Sequence, residues 1–244
     1  MTEELFREDA ALAHCEARVI AIDERGVQLD RTVFYPLGGG QAGDRGVLAL
    51  PDGTELQIAD TRKGTLPGEI VHVPAPGQEA LLARIAAGQA VQARIDMPRR
   101  QRHMRFHTST HLLCALVPHP VDGCSITADY ARLDFHMSEP LDKALLSAGL
   151  ARLVTEAHRV SHRWISEAEL DANPGLVRSM SVQPPRSADG RGRIRVLEID
   201  GVDLQPCGGT HVTNTAEIGA VVVTRIEKKS AMTRRVVLGF APSA

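Results

Sequence analysis

The sequence predicts an α+β protein in which a small antiparallel β-barrel precedes an α+β domain. In the first part, short β-branched segments alternate with turns that contain glycine or proline, a spacing typical of a small barrel. After Pro98, apolar residues recur at helical spacing in two segments before strand patterns return. A chain of 244 residues has room for two modest domains. We therefore expect a barrel over 1–95 and an α+β domain over 96–244.

The N-terminal part consists of predicted strands separated by turns. Glycine, proline and aspartate punctuate short apolar runs, as they do between the strands of hairpins. A helix-compatible segment and a last strand complete this part. The predicted strands fall within 14–50 and 47–73, the short helix covers 79–87, and the closing strand covers 91–95.

The C-terminal part begins with two predicted helices. The segment 99–117 has an apolar stripe that ends before Pro118. Within 142–159, apolar residues also recur at helical spacing, namely Leu145, Leu146, Leu150, Leu153 and Val154. A polar segment over 172–192, rich in Pro and Gly, interrupts the strand patterns. The predicted strands are 160–166, 194–199, 220–226 and 235–240.

Composition and charge exclude some classes of function. With 43% apolar and 24% charged residues and no long apolar run, the chain is predicted to be globular and cytoplasmic, without a membrane or an obligate protein partner. The net charge of −2 is unevenly distributed. Residues 1–95 carry a net −5 and residues 96–244 a net +3, so the second part is able to attract phosphate. Its first basic cluster contains Arg99, Arg100, Arg102 and Arg105.

Two short motifs predict a metal site. In HTSTH, His107 and His111 are four residues apart and therefore share one helix face. In CGGTH, Cys207 and His211 flank paired glycines that suit a tight turn. One thiolate and three imidazoles form a nitrogen and sulfur ligand set that favours zinc. A metalloprotease is disfavoured because Thr108 replaces the glutamate that follows the first histidine in those enzymes.

These motifs resemble a known family. HTSTHLL, CGGTHV, NTAEIG and TRRVV, together with FYPLGGGQAGDRG and YARLDF upstream, look like the editing domain of alanyl-tRNA synthetases and its free-standing relatives, the AlaX proteins of medium length. The resemblance implies a barrel like that of translation factors, followed by an editing domain shared with threonyl-tRNA synthetases. It also implies hydrolysis of the ester in mischarged Ser-tRNA(Ala), and sometimes Gly-tRNA(Ala), with zinc held by His107, His111, Cys207 and His211.

The resemblance also suggests further site residues. A hydroxyl in the segment GCSIT would recognise the seryl group, with Ser125 and Thr127 as candidates and Cys124 as a departure. The glycine-rich segment either reaches into the cleft or forms a turn with positive φ. A zinc-bound water is expected to react, with no catalytic side chain assigned. Independently of the resemblance, the arginine cluster lies within about three helical turns of His107, so it is expected near the metal site and in contact with tRNA phosphates. The predicted substrate residues of the glycine-rich segment are Gly39, Gly40 and Gln41.

Four protein ligands would fill a tetrahedral zinc ion, whereas catalytic zinc keeps a position open. Either the ion expands its shell or water displaces one ligand. Cys114 also lies near the helix stripe, although a buried apolar role is favoured for it. Two other functions stay open: a non-catalytic tRNA-binding module with structural zinc, and a zinc hydrolase for a different small ester or peptide.

Overall fold

The computed structural model describes residues 1–186 and 192–241. The chain divides into two compact units. The first comprises Met1–Gly38 and Ala42–Gln101, and the second comprises Gly39–Gln41 and the chain from Arg102 onward. The short segment Gly39–Gln41 is thus part of the second unit although its flanking residues belong to the first.

A closed antiparallel barrel forms the first unit. In chain order the elements are β1 (Glu3–Glu4), β2 (His14–Asp23), β3 (Gly26–Leu29), β4 (Arg31–Thr32), β5 (Gly46–Ala49), β6 (Glu55–Lys63), β7 (Ile70–Pro74), the one-turn helix α1 (Glu79–Leu82) and β8 (Ala90–Ile95). Around the barrel the strand order is β2, β3, β7, β6, β5 and β8. The strands β1 and β4 form a separate parallel pair.

Alternation along the strands produces the barrel core. In β8, Val91, Ala93 and Ile95 are buried, while the intervening side chains face outward, as the two-residue period of a strand requires. The same pattern places Leu56 and Ile58 of β6 inside. These residues pack in one cluster with apolar side chains of β2, β3 and β5.

The second unit contains most of the long helix α2 (Met97–Leu116), two further helices and two antiparallel sheets. After α2, the helices and strands are β9 (Val121–Ile126), β10 (Ala131–His136), α3 (Lys143–Thr155), β11 (Val160–Ser166), α4 (Glu167–Ala172), β12 (Arg193–Ile199), β13 (Asp203–Pro206), β14 (Val221–Ser230) and β15 (Thr233–Phe240). One sheet has the strand order β14, β15, β10 and β9, and the other has the order β11, β12 and β13.

Local sequence signals explain where these elements begin. The carboxylate of Asp142 accepts hydrogen bonds from the N–H groups of Ala144 and Leu145 and so caps α3. In the NTAEIG motif, Asn214 and Glu217 form a capping box at a short 3₁₀ turn, and Gly219 ends that turn with a φ of 69°. Part of the family motif is therefore a structural signal for this turn.

The predicted fold class, a small antiparallel barrel with an α+β domain, is confirmed. Differences are local. The helix expected over 79–87 is a single turn, and β13 was not predicted because its segment DLQP is short and ends in proline. The polar segment 172–192 includes residues 187–191, which lie outside the described residues. Within the described residues, no helix combines the length and apolar character needed to cross a membrane.

Candidate metal centre

Four buried side chains from α2 and from the turn after β13 converge in the second unit. The potential ligand atoms of His107, His111, Cys207 and His211 all lie within 4.8 Å of one another. The Cys207 sulfur is 3.5 Å from Nε2 of His107 and 3.2 Å from Nε2 of His211. Zinc bonds of about 2.3 Å to sulfur and about 2.0–2.1 Å to nitrogen, at tetrahedral angles, imply a separation of about 3.5 Å. The cluster therefore has the donors and the spacing to hold a metal ion.

Each histidine is oriented by a partner on its other ring nitrogen. Nδ1 of His107 lies 2.8 Å from Oε1 of Gln41, and Nδ1 of His111 lies 2.8 Å from a carboxylate oxygen of Asp203. Both partner atoms accept hydrogen bonds, so both Nδ1 atoms carry the proton and both Nε2 atoms are free to bind a metal. Such partners fix the tautomer and the ring orientation of metal-binding histidines.

The third histidine is oriented by the hydroxyl of Thr108. This hydroxyl donates to the carbonyl of Met104 at 2.9 Å, as threonines in helices often do. Having donated its only proton, it acts as an acceptor toward Nδ1 of His211, 3.2 Å away, and toward the N–H of Val212. Thr108, which stands where metalloproteases have a glutamate, thus orients the imidazole of His211.

Gln41 connects the glycine-rich segment to this centre. Its side chain is fully buried, and its Oε1 accepts from the backbone N–H of Thr210 at 3.1 Å as well as from His107. Its amide donates to the Thr210 hydroxyl at 2.9 Å. Because a backbone N–H only donates, the orientation of the amide is unambiguous. Gln41 therefore fixes both His107 and the turn that carries His211.

The CGGTH turn packs closely against α2 at Gly209. A Cβ atom on Gly209 would lie 2.1 Å from Cε1 of His107, so only glycine fits there. The buried Arg195 holds the turn from the other side by donating to the carbonyls of Cys207 and Gly209, at 2.8 and 3.3 Å. Glycine is thus required at position 209 because there is no room for a side chain.

Charge within the cluster favours the metal-binding form of the cysteine. Burial raises the pKa of the Cys207 thiol, but the imidazoles of His107 and His211 lower it by a larger amount, and the net pKa is well below the ordinary value. Burial lowers the pKa of His111, yet the hydrogen bond to Asp203 and the Cys207 sulfur outweigh it and raise that pKa to about 10. Metal binding at Nε2 of His111 therefore has to displace a proton.

The predicted substrate residues occupy different positions. Cys124 pairs with the buried Leu133 in the β9–β10 ladder, so their side chains share a face, and the Cys124 sulfur would lie 2.9 Å from a Cβ on Gly40. Ser125 faces the opposite side, where it pairs with Arg132. Thus Cys124 lies beside the glycine-rich segment and Ser125 lies on the other face of the sheet.

The hydroxyl of Thr127, predicted as a substrate contact, makes hydrogen bonds within a turn. It donates to the carbonyl of Tyr130 at 3.0 Å and accepts from the N–H groups of Asp129 and Tyr130. These bonds close the turn between β9 and β10, because a threonine hydroxyl readily replaces backbone partners in a turn. We therefore assign Thr127 a structural role.

Gly39 and Gly40 both have positive φ values, 58° and 85°, as expected of a glycine turn. The carbonyl of Gly40 accepts a hydrogen bond of 2.7 Å from the N–H of Ile126 at the end of β9. The turn delivers the side chain of Gln41 to His107. Within the second unit, Gly39 and Gly40 thus shape the segment, while Gln41 makes the side-chain contacts.

The arginine cluster also separates into different roles. Arg100 is fully buried in the first unit, where it forms an ion pair with Asp44 and donates to the carbonyls of Ala10 and Val33. A phosphate contact for Arg100 is therefore wrong, because a solvated RNA cannot reach a fully buried guanidinium. Arg99 is half-buried in the same unit and is not without an interaction partner. Arg102 is exposed and Arg105 half-buried in the second unit.

Sequence reasoning missed Asp203, Thr210 and Arg195. Each supports a ligand or the turn that bears it, as the distances above show. Asp203 and Arg195 are buried charged residues close in sequence to CGGTH, and that proximity was the available signal. Nothing in the spacing of Asp203 points to His111, 92 residues earlier.

The comparisons with known proteins agree with this architecture. Residues 194–237 match the threonyl and alanyl tRNA synthetase second additional domain, and residues 8–99 match the class II (A) tRNA synthetases. Fold and site thus define a protein of the tRNA synthetase editing-domain type.

Similar proteins over the full chain identify the family. The alanyl-tRNA editing protein AlaX-M of Methanosarcina acetivorans is 33% identical over 96% of this chain and 97% of its own. AlaX-M of Saccharolobus solfataricus is 31% identical over 99% of this chain and 100% of its own. The alanine–tRNA ligase of Pyrococcus abyssi is 33% identical over the whole chain, which spans only 26% of that ligase. The chain belongs to the AlaX family of alanyl-tRNA editing proteins.

Proposed function

We propose that this protein is a zinc-dependent deacylase that hydrolyses the ester joining a wrongly attached amino acid, serine above all, to tRNA(Ala), with glycine as a second substrate. Relatives of matching length are named alanyl-tRNA editing proteins, and this family membership is the observation that carries the proposal. The buried cluster of three imidazoles and one cysteine supports it.

The donor set fits zinc by its chemistry. Thiolate and imidazole ligands in tetrahedral spacing suit this ion, and the orienting hydrogen bonds on all three histidines are typical of metal centres. When bound, zinc supplies Lewis acidity that polarises an ester carbonyl or a water.

The protein's own residues contribute positioning and exclusion of water. Gln41, Thr108 and Asp203 hold the imidazole rings in one orientation, so that no reorganisation is needed when the ester arrives. Burial keeps this part of the centre dry, which strengthens every electrostatic interaction within it. Discrimination between serine and alanine requires a hydrogen-bonding partner for the extra hydroxyl, because size alone separates them weakly.

A second candidate function is a non-catalytic tRNA-binding module with a structural metal. The observation that favours it is the presence of four donors around one point, since structural zinc sites are closed by four protein ligands. Purified protein incubated with seryl- and alanyl-tRNA(Ala) separates the two. Metal-dependent release of serine supports the deacylase, and binding without turnover supports the module. Activity indifferent to RNA supports a hydrolase for another small ester.

Replacement of one ligand tests the centre directly. In His111→Ala we expect serine release to be abolished and bound zinc to fall, because one of four donors is lost and the buried Asp203 carboxylate loses its imidazole partner. Zinc content by elemental analysis and serine release from Ser-tRNA(Ala) are measured on the same preparation.

The matched control is His136→Ala, which removes an exposed histidine that also contacts an aspartate, Asp122. It should retain both zinc and activity. Full activity of His111→Ala without bound zinc would refute the assigned centre.

A further inference from the structure

Arg102 and Arg105 share one face of α2, three residues apart, and both lie over the ring of Phe240 from β15. The guanidinium carbon of Arg105 is 3.9 Å from the ring centroid, and that of Arg102 is 5.1 Å away. The same ring stacks on Phe106, with 4.1 Å between centroids. The aromatic ring therefore positions two cations side by side.

Backbone contacts fix both side chains. Nε of Arg105 donates to the carbonyl of Ile218 at 2.7 Å, and Nε of Arg102 donates to the carbonyl of Ala128. A Cβ on Gly219 would lie 2.9 Å from Nη2 of Arg105, so glycine at this position leaves room for the guanidinium. These contacts immobilise the side chains but do not neutralise their charge.

No carboxylate is ion-paired with either arginine among the described residues, whereas Arg152 and Arg235 of the same unit are paired with Glu156 and Asp134. Burial lowers the pKa of Arg105, and repulsion from Arg102 lowers it further. Two like charges held close together are unfavourable until an anion joins them. Each guanidinium presents five N–H donors, and within residues 1–186 and 192–241 only Nε of each donates a hydrogen bond, so donors remain for an oxygen-rich ligand.

We propose that Arg102 and Arg105 form a binding site for a backbone phosphodiester of the RNA substrate. At about 100° per residue, both arginines lie about 140–160° around the helix axis from His107. The site therefore holds the RNA at a distance from the metal centre, on the opposite face of the same helix. Guanidinium groups are suited to this role because they bind phosphate through paired N–H groups. This inference rests on the proposed function, which makes RNA the substrate.

The salt dependence of RNA binding tests the proposal. The affinity of the full-length protein for a tRNA(Ala) transcript is measured from 50 to 200 mM salt. Each phosphate contact contributes about 0.7–0.9 to the slope of log affinity against log salt. In Arg102→Ala we expect that slope to decrease by about this amount, with affinity falling several-fold at low salt and converging on the parent at high salt. Arg102→Lys, which keeps the charge, should retain the slope.

The matched control is Arg152→Ala, which removes an exposed helical arginine that is paired with Glu156. It should bind like the parent. An unchanged slope for Arg102→Ala, with a thermal midpoint equal to the parent's, would overturn the inference. If inorganic phosphate binds the parent while that slope is unchanged, the pair binds free anions and the RNA assignment is wrong.

Failure of the proposed function is distinguishable from failure of this inference. Serine release by the parent tests only the former, and the change of salt slope in Arg102→Ala tests only the latter. A parent that binds RNA with the expected slope change but releases no serine would leave the phosphate site standing and refute the deacylase.

Discussion

At the scale of single residues, the metal centre depends as much on the partners of the ligands as on the ligands. Gln41 is the clearest example, because it is fully buried and its amide oxygen accepts hydrogen bonds from His107 and from the N–H of Thr210. The sequence-based reading placed Gln41 among substrate-binding residues. Within the second unit, the Gln41 side chain makes its hydrogen bonds to His107 and Thr210.

We predict that Gln41→Ala lowers the affinity for zinc by about 10–100-fold, which is the usual effect of losing an orienting partner. The cause is that His107 loses the acceptor that fixes its tautomer. Competition with a chromophoric chelator measures this change independently of activity. Gln92→Ala, which removes a surface glutamine hydrogen-bonded to Glu16, serves as the control. Parent-like zinc affinity in Gln41→Ala would show that His107 needs no such partner.

At the scale of elements, the turn that bears Cys207 and His211 is defined by close packing. Gly209 faces the ring of His107, and Arg195 holds the carbonyls on the other side. Any side chain at Gly209 must displace either the turn or the helix, and each carries two of the four ligands.

Gly209→Ala should therefore lose most of its zinc and unfold at lower urea, with a cost of about 1–3 kcal/mol from overpacking. Zinc stoichiometry and urea unfolding measure the two effects. Gly175→Ala is the control, since a Cβ at that glycine meets nothing within 4 Å. If both variants bind zinc and unfold like the parent, the turn has more freedom than its contacts indicate.

The elements differ in how far the sequence predicts them. The first helix of the second domain follows from periodicity and from Pro118, and parts of β14 and β15 follow from their apolar segments, because those signals are local. The pairing of these strands was not predicted. The convergence of HTSTH with CGGTH was suggested by chemistry rather than by spacing. The pairing of His111 with Asp203 and of Gln41 with Thr210 could not be predicted, since both depend on tertiary contacts 92 and 169 residues apart in sequence. For Arg100 the local signal was misleading. Its basic neighbours in the sequence suggested a phosphate contact, whereas its guanidinium forms a buried ion pair with Asp44.

At the scale of the whole molecule, the buried histidine of the barrel should make stability depend on pH. Nδ1 of His72 donates to the carbonyl of Val27 at 3.0 Å, and its Nε2 accepts from the Thr32 hydroxyl at 2.8 Å. Burial lowers the pKa of His72 from 6.5 to about 4. Both ring nitrogens have neutral partners, so a protonated ring would be a buried charge without a counterion.

The sign of the effect follows from proton linkage. Between pH 6.5 and about 4 the unfolded chain binds a proton at His72 that the folded chain does not. The stability associated with this histidine is therefore complete above pH 6.5 and is lost as the pH falls toward 4, by about 3 kcal/mol in total.

His72→Gln lacks the buried imidazole, so it should be less stable than the parent at pH 7. Because it also has no titrating group at this position, it should lose less stability on acidification. Urea midpoints of both proteins at pH 7 and pH 4.5 measure the difference, with His14→Gln, at an exposed strand position, as the control. Groups shared by all three proteins, including the metal-binding histidines, cancel in this comparison. Equal losses in the parent and His72→Gln would mean that the barrel accommodates a charged ring at this position.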